Sequence, residues 1–269
     1  MKKLVSLIVI AALAVSVLVC FASCAEKTQT VFKPSGESKG TLKLGFDCEY
    51  PPYGYLDSET NQYAGFDIEF AKAVCEKIGY TLELIPVDWD FKDTALESGE
   101  INCIWSGFTI QGREDDYAWT VPYSDSRIVI LTKSDSGISA IADLAGKIVS
   151  VQLDSSGETA LQEDEELVAS LKDGKYVTCA SYTAGFMDLE TGAIDALVID
   201  IGVAKDMIAG KTGYVMLDEP LSVEQYGVGF AKNNTALRDL ISDAMVALSD
   251  KAAEIAVKYE IADSVKIGE

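Results

Sequence analysis

Apolar residues recur with two alternating periods along residues 41–260, and each period predicts one kind of secondary structure. Leu42, Leu44 and Phe46 occupy every second position, which is the period of a strand. From residue 66 the apolar positions recur at helical spacing until Gly79, which is typical of a helix and its C-terminal end. The first part of the chain therefore predicts strand 41–46, helix 66–79, strand 81–85, a short helix at 94–96 and strand 101–105.

The same alternation returns after residue 127. The predicted elements there are strands 128–131, 148–151, 193–199 and 224–232, and helices 141–147, after 157, 183–191 and 235–259. Alternating strands and helices are typical of an α/β fold with mostly parallel sheets. In such sheets a ligand binds beyond the C-terminal ends of the strands.

Polar and small residues follow the first strands at those ends, and they are our first candidates for a binding site. Two prolines keep the loop after strand 41–46 out of helix and sheet interior. A Ser-Gly pair after strand 101–105 lets backbone amides approach another group closely. The candidate residues are Asp47, Tyr50, Ser106, Gly107 and Thr109.

Arg113 extends this stretch with five donors in a planar fork, a geometry that holds a carboxylate through two hydrogen bonds. The alternative is that Ser106-Gly107 is an ordinary loop and that Arg113 is a solvated residue. The convergence of polar and small residues on one edge of the predicted sheet favours the binding interpretation.

The second half of the chain has candidates of its own. Ser155 and Ser156 open a helix whose N-terminal amides would bind an anion, although a simple N-cap is the alternative. Asp200 ends the apolar strand 193–199 and is a candidate partner for an ammonium group. Its alternative role is to cap the helix that starts near Gly202.

The N-terminus has the pattern of a bacterial lipoprotein signal. Two lysines precede an apolar run over residues 4–19, and two small residues stand before Cys24. We predict a signal peptide at 1–23 and a diacylglycerol on Cys24, which would tether the protein to the outer face of the cell membrane; a retained transmembrane helix is the alternative. Residues 24–39 are polar and predict a flexible tether.

The composition of the chain argues against several classes of function. The chain has 22 Lys plus Arg against 43 Asp plus Glu, which argues against binding to nucleic acid or directly to anionic lipid. It has 0 histidines, which excludes histidine metal sites and histidine-based triads. Cys48, Cys75, Cys103 and Cys179 lie in apolar contexts that favour core packing, with a Cys48–Cys103 disulfide left open. We expect no metal and no cofactor.

Several short motifs occur in a fixed order and spacing along residues 41–260. They are Asp47…Tyr50-Pro51-Pro52-Tyr53, Gly65-Phe66-Asp67, Trp89-Asp90, Ala95-Leu96-Glu97-Ser98-Gly99, Gly107-Phe108-Thr109-Ile110, Val121-Pro122-Tyr123, Asp143-Leu144-Ala145-Gly146-Lys147, Ile194-Asp195-Ala196 and Tyr226-Gly227-Val228. In this order the chain resembles bacterial extracellular solute-binding family 3, the polar amino-acid-binding proteins of ABC importers.

The resemblance implies a two-lobed fold of the periplasmic-binding-protein type. Each lobe would be a mostly parallel sheet flanked by helices, and two strands would form a hinge. Lobe one would comprise residues 40–125 and 226–269, and lobe two residues 126–225.

The resemblance also implies roles for residues in lobe one. Tyr50 would stack on the ligand side chain, with Trp89 on the opposite wall. Gly107 and Thr109 would bond the α-ammonium and α-carboxylate groups. Arg113 would hold the carboxylate, although it follows Thr109 by four residues where the family usually has five.

In lobe two, the resemblance implies that Ser156 and its neighbours close on the carboxylate while Asp200 pairs with the ammonium group. Asp47 would point toward the variable side chain and favour a polar or cationic one, whereas Gln152 would favour an amide or an acid. The loop before Ser156 carries Asp154, which brings a negative charge near the carboxylate site unless it faces outward.

The function that we expect is therefore capture of a free amino acid by a monomeric lipoprotein, which delivers it to the transmembrane subunits of an ABC permease. We expect no catalytic residue. One alternative is a sensor or receptor of the same fold that feeds no transporter. The other is a dehydratase-type enzyme, in which only Asp47, Glu49 or Asp200 could act as acid or base because histidine is absent.

Overall fold

A computed structural model describes residues 28–268, which form two sheet-rich lobes. The strands, in chain order, are β1 Val31–Phe32, β2 Thr41–Phe46, β3 Glu49–Tyr50, β4 Gly54–Asp57, β5 Gln62–Ala64, β6 Thr81–Pro86, β7 Cys103–Ile104, β8 Ala118–Trp119, β9 Ser124–Lys133, β10 Val149–Gln152, β11 Val177–Cys179, β12 Ala196–Asp200, β13 Tyr214–Met216, β14 Ser222–Tyr226 and β15 Gly229–Phe230.

The α-helices are α1 Phe66–Ile78, α2 Lys92–Ser98, α3 Ser156–Glu163, α4 Glu165–Ser170, α5 Tyr182–Thr191, α6 Ile201–Met207, α7 Thr235–Val246 and α8 Ser249–Lys258. Three 3-10 turns occupy Trp89–Phe91, Ile141–Leu144 and Lys172–Gly174. The predicted signal peptide, Cys24 and the first residues of the predicted tether lie outside the described residues.

Lobe one is built on the sheet with strand order β1-β6-β2-β7-β15-β8. Strand β2 runs parallel to β6 and β7, whereas β1, β8 and β15 pair antiparallel with their neighbours. The apolar face of α1 is buried, and α7 and α8 from the end of the chain pack on this helix. The C-terminal segment therefore stabilises the lobe that contains the N-terminal half.

Lobe two is built on the sheet with strand order β11-β10-β12-β9-β13. Strand β10 is parallel to β11 and β12, and β9 and β13 are antiparallel. All five residues of β12 are buried, as the continuous apolar sequence predicts. Asp200 ends this strand in a fully buried position.

The two lobes are joined by β9 and β14, which pair antiparallel over Ser124–Ile128 and Ser222–Tyr226. Ser126 lies opposite Glu224 in this ladder, and Ser124 lies opposite Tyr226. The family resemblance implies a hinge of two strands, and β9 and β14 form such a pair.

Part of the segment for which the sequence predicts a flexible tether is packed on lobe one. Val31 and Phe32 pair with the outer edge of β6, and the Lys72 ammonium lies 3.9 Å from the centre of the Phe32 ring. An open strand edge offers unpaired N–H and C=O groups, and this short strand satisfies some of them. Residues 31–32, which the sequence places in the tether, therefore belong to the sheet of lobe one.

Two other predicted elements differ in detail. The single strand predicted over 224–232 is divided between β14 and β15. The single helix predicted over 235–259 is two helices, because Leu248 leaves the helical region at φ −120°. The four cysteines from residue 48 onward are free, and Cys75, Cys103 and Cys179 are buried as the core-packing interpretation predicts. Across residues 28–268, no helix combines the length and the apolar composition that crossing a bilayer requires.

Candidate functional site

A small cavity lies between the lobes, at the C-terminal ends of the parallel strands. Nine of the eleven ligand residues that the sequence predicts line it, and Tyr182 lines it with them. Of the other two, Asp47 accepts a hydrogen bond from the lining residue Gln152. Asp200 accepts from Tyr226, whose hydroxyl lies 3.1 Å from that of the lining residue Tyr50. The predicted lining residues are Tyr50, Trp89, Ser106, Gly107, Thr109, Arg113, Gln152, Ser155 and Ser156.

The loop after Thr109 brings Arg113 to the cavity although it is one residue shorter than the family pattern. The Arg113 amide donates to the Ile110 carbonyl (2.9 Å), which closes a tight turn. The guanidinium lies 5.3 Å from the centre of the Phe108 ring, and its Nη2 donates to the Asp154 carbonyl (3.3 Å). A guanidinium group that is held in this way on an aromatic face is preorganised to bind a carboxylate.

Asp47 lies behind Gln152, which lines the cavity and is hydrogen-bonded to it. The Gln152 Nε2 group donates to Asp47 Oδ2 (2.9 Å) and to the Ala180 carbonyl (3.3 Å), while the Asp47 amide donates to Ser106 Oγ (3.1 Å). Burial raises the pKa of Asp47, and its hydrogen bonds to Glu49 and Gln152 oppose that rise. Asp47, which would favour a polar or cationic ligand side chain, and Gln152, which would favour an amide or an acid, are therefore hydrogen-bonded to each other.

Ser155 is the N-cap of α3, which was the alternative interpretation of this loop. Its Oγ accepts a hydrogen bond from the Glu158 amide (3.2 Å) and donates to the Gln152 carbonyl (2.8 Å). Ser156 is the first residue of the helix and also lines the cavity. The helix N-terminus and the Ser156 hydroxyl therefore both face the site.

Asp200 caps α6, which was likewise the alternative interpretation. Its Oδ1 accepts from the amides of Gly202 (2.7 Å) and Val203 (3.2 Å). Its Oδ2 accepts from the hydroxyls of Ser126 and Tyr226. Burial raises the pKa of Asp200, and these four hydrogen bonds oppose that rise.

Glu224 is a second buried carboxyl group close to Asp200. Its Oε2 accepts from the Thr109 hydroxyl (2.8 Å), so the threonine that the sequence assigns to the ligand is already bonded to Glu224. Burial, with the Asp200 charge as a second cause, raises the pKa of Glu224 to about 7. Thr109, Ser156 and Arg113 oppose the rise.

Gly107 lies at the turn after β7, with its backbone amide directed away from the cavity. That amide donates to Asp67 Oδ2 (2.7 Å), which also accepts from the Tyr123 hydroxyl (3.0 Å). Gly107 has φ +52°, and an added Cβ would lie 2.7 Å from Tyr50 Cε1. The amide of Gly107 is therefore engaged with the protein, and the residue serves the site through its small size and its conformation.

We expect Gly107→Ala to lower the free energy of unfolding by roughly 1–3 kcal/mol, because it adds both a left-handed backbone strain and an overpacked Tyr50. Urea denaturation measures this loss. Gly99→Ala is the matched control, since Gly99 has φ +76° but no atom within 4 Å of its added Cβ. Equal losses in the two variants would contradict the contact between Gly107 and Tyr50.

Aromatic rings form the walls of the cavity. The Tyr50 ring centre lies 5.8 Å from that of Tyr182, and the Trp89 and Phe108 rings meet edge to face at 5.6 Å. The Tyr50 hydroxyl lies 3.1 Å from the Tyr226 hydroxyl, so the Tyr50 ring extends to the polar group around Asp200. These walls provide apolar surface for a side chain between the lobes.

Asp154 joins lobe two to lobe one beside the cavity. Its carboxylate forms an ion pair with Lys92, whose side chain is only 1% exposed, and its carbonyl accepts from Trp89 Nε1 (3.2 Å) as well as from Arg113. The charge on Asp154 is therefore directed to Lys92 and not to the carboxylate site. All these contacts require the lobes to be together.

We expect Asp154→Asn to destabilise the closed arrangement by about 1 kcal/mol. Asp154 is half-exposed, and Lys92 keeps a second carboxylate partner, Asp93, at 3.7 Å. Ligand affinity should fall roughly fivefold through faster dissociation. Stopped-flow measurement of the dissociation rate tests this, with Asp218→Asn on the exposed surface of lobe two as the control. Identical dissociation rates in the two variants would contradict a cross-lobe contribution from Asp154.

The sequence model of the bacterial extracellular solute-binding proteins, family 3, matches residues 42–261. The chain belongs to this family. Family-3 proteins bind solutes outside the cytoplasm, which agrees with a cavity enclosed between two lobes.

Curated relatives and solved structures agree with this assignment. The chain is 29% identical over 214 residues to the L-cystine-binding protein TcyJ of Escherichia coli, covering 78% of this chain and 77% of the relative. It is 28% identical over 257 residues to the arginine-binding extracellular protein ArtP of Bacillus subtilis, covering 93% and 94%. A Streptococcus pneumoniae ABC uptake transporter substrate-binding protein with bound histidine superimposes with TM-score 0.78 at 31% identity, covering 81% and 92%.

Three residues near the site of this family-3 protein were not assigned from the sequence: Lys92, Tyr182 and Glu224. Tyr182 follows β11, so the rule that ligands bind beyond strand ends could have identified it. Glu224 is a single acid in the segment 224–232, which contains two glycines. The ladder between β9 and β14 places it behind Thr109, whose hydroxyl donates to it. No motif or strand-end position in the sequence points to Lys92.

Proposed function

We propose that this family-3 protein captures a free amino acid with a polar or cationic side chain and delivers it to the transmembrane subunits of an ABC permease. The supporting observation is the polarity of the cavity: Arg113 lines it, and the buried carboxyl groups of Asp200 and Glu224 lie close behind its lining. A zwitterion presents the complementary pair of charges. Both can leave water at acceptable cost only if each meets an opposite, hydrogen-bonded partner.

The ligand would be held by both lobes. Lobe one contributes Arg113 and the Tyr50 wall, and lobe two contributes the start of α3 and Tyr182. A ligand that contacts both lobes binds the closed arrangement better than the open one, so it shifts the population toward closure. We infer that this closed form is the state that the permease recognises.

The side-chain preference follows from Asp47. It is a buried carboxyl group bonded to Gln152, so this end of the cavity can accept hydrogen bonds from a cation or an amide. Relatives that bind arginine or histidine are consistent with this chemistry. The signal pattern ending at Cys24 supports a lipid anchor, by which the protein would remain at the outer face of the cell membrane.

A thermal-shift screen of the purified protein against the twenty amino acids, cystine and ornithine tests the proposal. A ligand at 100 times its dissociation constant adds about 2.7 kcal/mol, which raises the melting temperature by several degrees. Before the screen the protein is unfolded and refolded, so that a ligand retained during purification does not mask the shift. No shift with any member of the panel would overturn an amino-acid ligand.

A further inference from the structure

Tyr182 lines the cavity between the lobes, and the sequence gives it no role in ligand binding. The residue is only 2% exposed. It is the first residue of α5, and Ser181 caps this helix by accepting a hydrogen bond from the Ala184 amide (3.2 Å). Lobe two therefore contributes an aromatic ring to the cavity, in addition to Tyr50 and Trp89 of lobe one.

The ring of Tyr182 meets the ring of Tyr50 across the cleft. The ring centres lie 5.8 Å apart, with the planes tilted by 38°. Helix α5 packs against β3, the short strand that carries Tyr50. A planar group stacked between two rings needs about 7 Å between their centres, because each carbon contact takes roughly 3.5 Å. The two rings are therefore too close for a ligand side chain to lie between them.

The other end of the Tyr182 side chain reaches the start of α3. Its hydroxyl interacts with the side chain of Ser155, the N-cap residue of that helix. Gln152, which belongs to the same loop as Ser155, donates to the Ala180 carbonyl (3.3 Å) two residues before Tyr182. The side chain of Tyr182 therefore extends along the lobe-two wall of the cavity, from the start of α3 to Tyr50.

Close packing holds the backbone of α5 in place beneath Tyr182. Gly185, three residues further along the helix, lies against the sheet of lobe two. A Cβ added at Gly185 would lie 2.7 Å from Leu197 Cδ1 and 2.9 Å from Cys179 Sγ. Protein interiors packed to this density accommodate an added methylene poorly. Tyr182 is therefore a fixed part of the wall, because its helix has no room to move toward the sheet.

A fixed ring at this position limits the space for the side chain of a ligand. In the proposed function Arg113 holds the ligand carboxylate, and the side chain extends toward Gln152 and Asp47. Tyr182 occupies the wall beside Gln152, and Tyr50 closes on it from lobe one. A longer side chain would have to displace one of these two rings.

We propose that Tyr182 is a specificity-determining residue that restricts the ligand to amino acids with short polar side chains. This inference rests on the proposed function and narrows it. A side chain as long as that of serine or asparagine lies in front of the ring, whereas a longer one meets it. One methylene too many in a filled pocket weakens binding roughly 10- to 200-fold. Ligands that differ by one methylene are therefore the most sensitive probes.

Calorimetric titration of the purified protein with three such pairs tests the length limit. The pairs are L-serine and L-homoserine, L-asparagine and L-glutamine, and L-2,4-diaminobutyrate and L-ornithine. Each pair shares its polar group, and the second member is longer by one methylene. Where a pair binds, we expect the wild type to bind the shorter member at least roughly tenfold more tightly. Tyr182→Ala should shift this ratio at least roughly tenfold toward the longer member, because the space of the ring becomes available.

Three further variants distinguish length selection from a purely structural effect. Tyr182→Phe keeps the ring and removes the hydroxyl that interacts with Ser155, so the ratio should remain that of the wild type. Tyr182→Leu should give an intermediate ratio, and it provides the test if the alanine variant does not fold. Tyr214→Ala is the matched control. Its ring packs on Phe186 of the same helix (5.1 Å) but does not line the cavity, so the ratio should not change.

Two outcomes overturn the inference and leave the proposed function intact. The first is a wild type that binds the longer member of a pair as tightly as the shorter one, or that binds only lysine, arginine or cystine. The second is an equal loss of affinity for both members of a pair in Tyr182→Ala and Tyr182→Leu, which would give Tyr182 a structural role alone. If the wild type binds no amino acid, the proposed function fails, and this inference fails with it.

Discussion

Replacing Arg113 with alanine is expected to weaken amino-acid binding by several hundred-fold or more. The guanidinium lines the cavity and is fixed on the Phe108 ring, and its Nη1 and Nη2 reach the carbonyls of Thr109 (3.5 Å) and Asp154 (3.3 Å). Without it, a ligand carboxylate would be buried between the lobes with no cationic partner. An unpaired charge of this kind costs roughly 3–5 kcal/mol, which sets the size of the effect.

Calorimetric titration of Arg113→Ala measures this loss of affinity. Two further variants test its cause and serve as a control. Arg113→Lys keeps the charge but loses the two-pronged geometry, so it should fall between wild type and alanine. Arg127→Ala removes an exposed arginine of β9 and should bind as wild type. If Arg113→Ala binds as tightly as Arg127→Ala, the carboxylate site lies elsewhere.

The second large effect is expected for Asp67→Ala, which should lower the free energy of unfolding by roughly 2–4 kcal/mol. Asp67 is fully buried at the start of α1, and its Oδ2 accepts from the Gly107 amide and the Tyr123 hydroxyl. Alanine would leave both donors buried without an acceptor, at about 1–3 kcal/mol each before relaxation. Ligand affinity should also fall, because the turn that carries Gly107 would lose its support.

Asp67→Asn is the informative companion variant because it keeps an acceptor oxygen and removes the titration. Burial raises the pKa of Asp67 from 3.8 to about 7. Its contribution to stability is therefore fully present below about pH 4 and is lost as the pH rises through about 7, by up to roughly 4 kcal/mol. Urea denaturation across this range should show wild-type stability falling relative to Asp67→Asn, and a constant difference would contradict the raised pKa.

Much of the site could be predicted because the alternation of apolar residues shows where each strand ends. Tyr50, Ser106 and Gly107 follow strands whose apolar alternation is visible in the sequence, and parallel strands bring their C-terminal ends to one edge. The same reasoning placed Ser155 and Ser156 after β10. These residues line the cavity.

The parts that could not be predicted depend on which groups meet across the lobes. Whether Asp200 would cap a helix or face a ligand was open, and four donors that arrive from separate segments occupy it. The role of Glu224 depends on the register of β14 with β9, and the ion pair of Lys92 with Asp154 joins residues 62 positions apart. Local propensity carries no information about such pairs.

The most direct test of the central claim is calorimetric titration of the refolded wild-type protein with the amino acids and cystine. We predict that at least one binds with one-to-one stoichiometry and a negative heat-capacity change, because closing the lobes on a ligand buries the aromatic walls from water. The absence of binding by every member of the panel would contradict the claim that the cavity between the lobes is an amino-acid site.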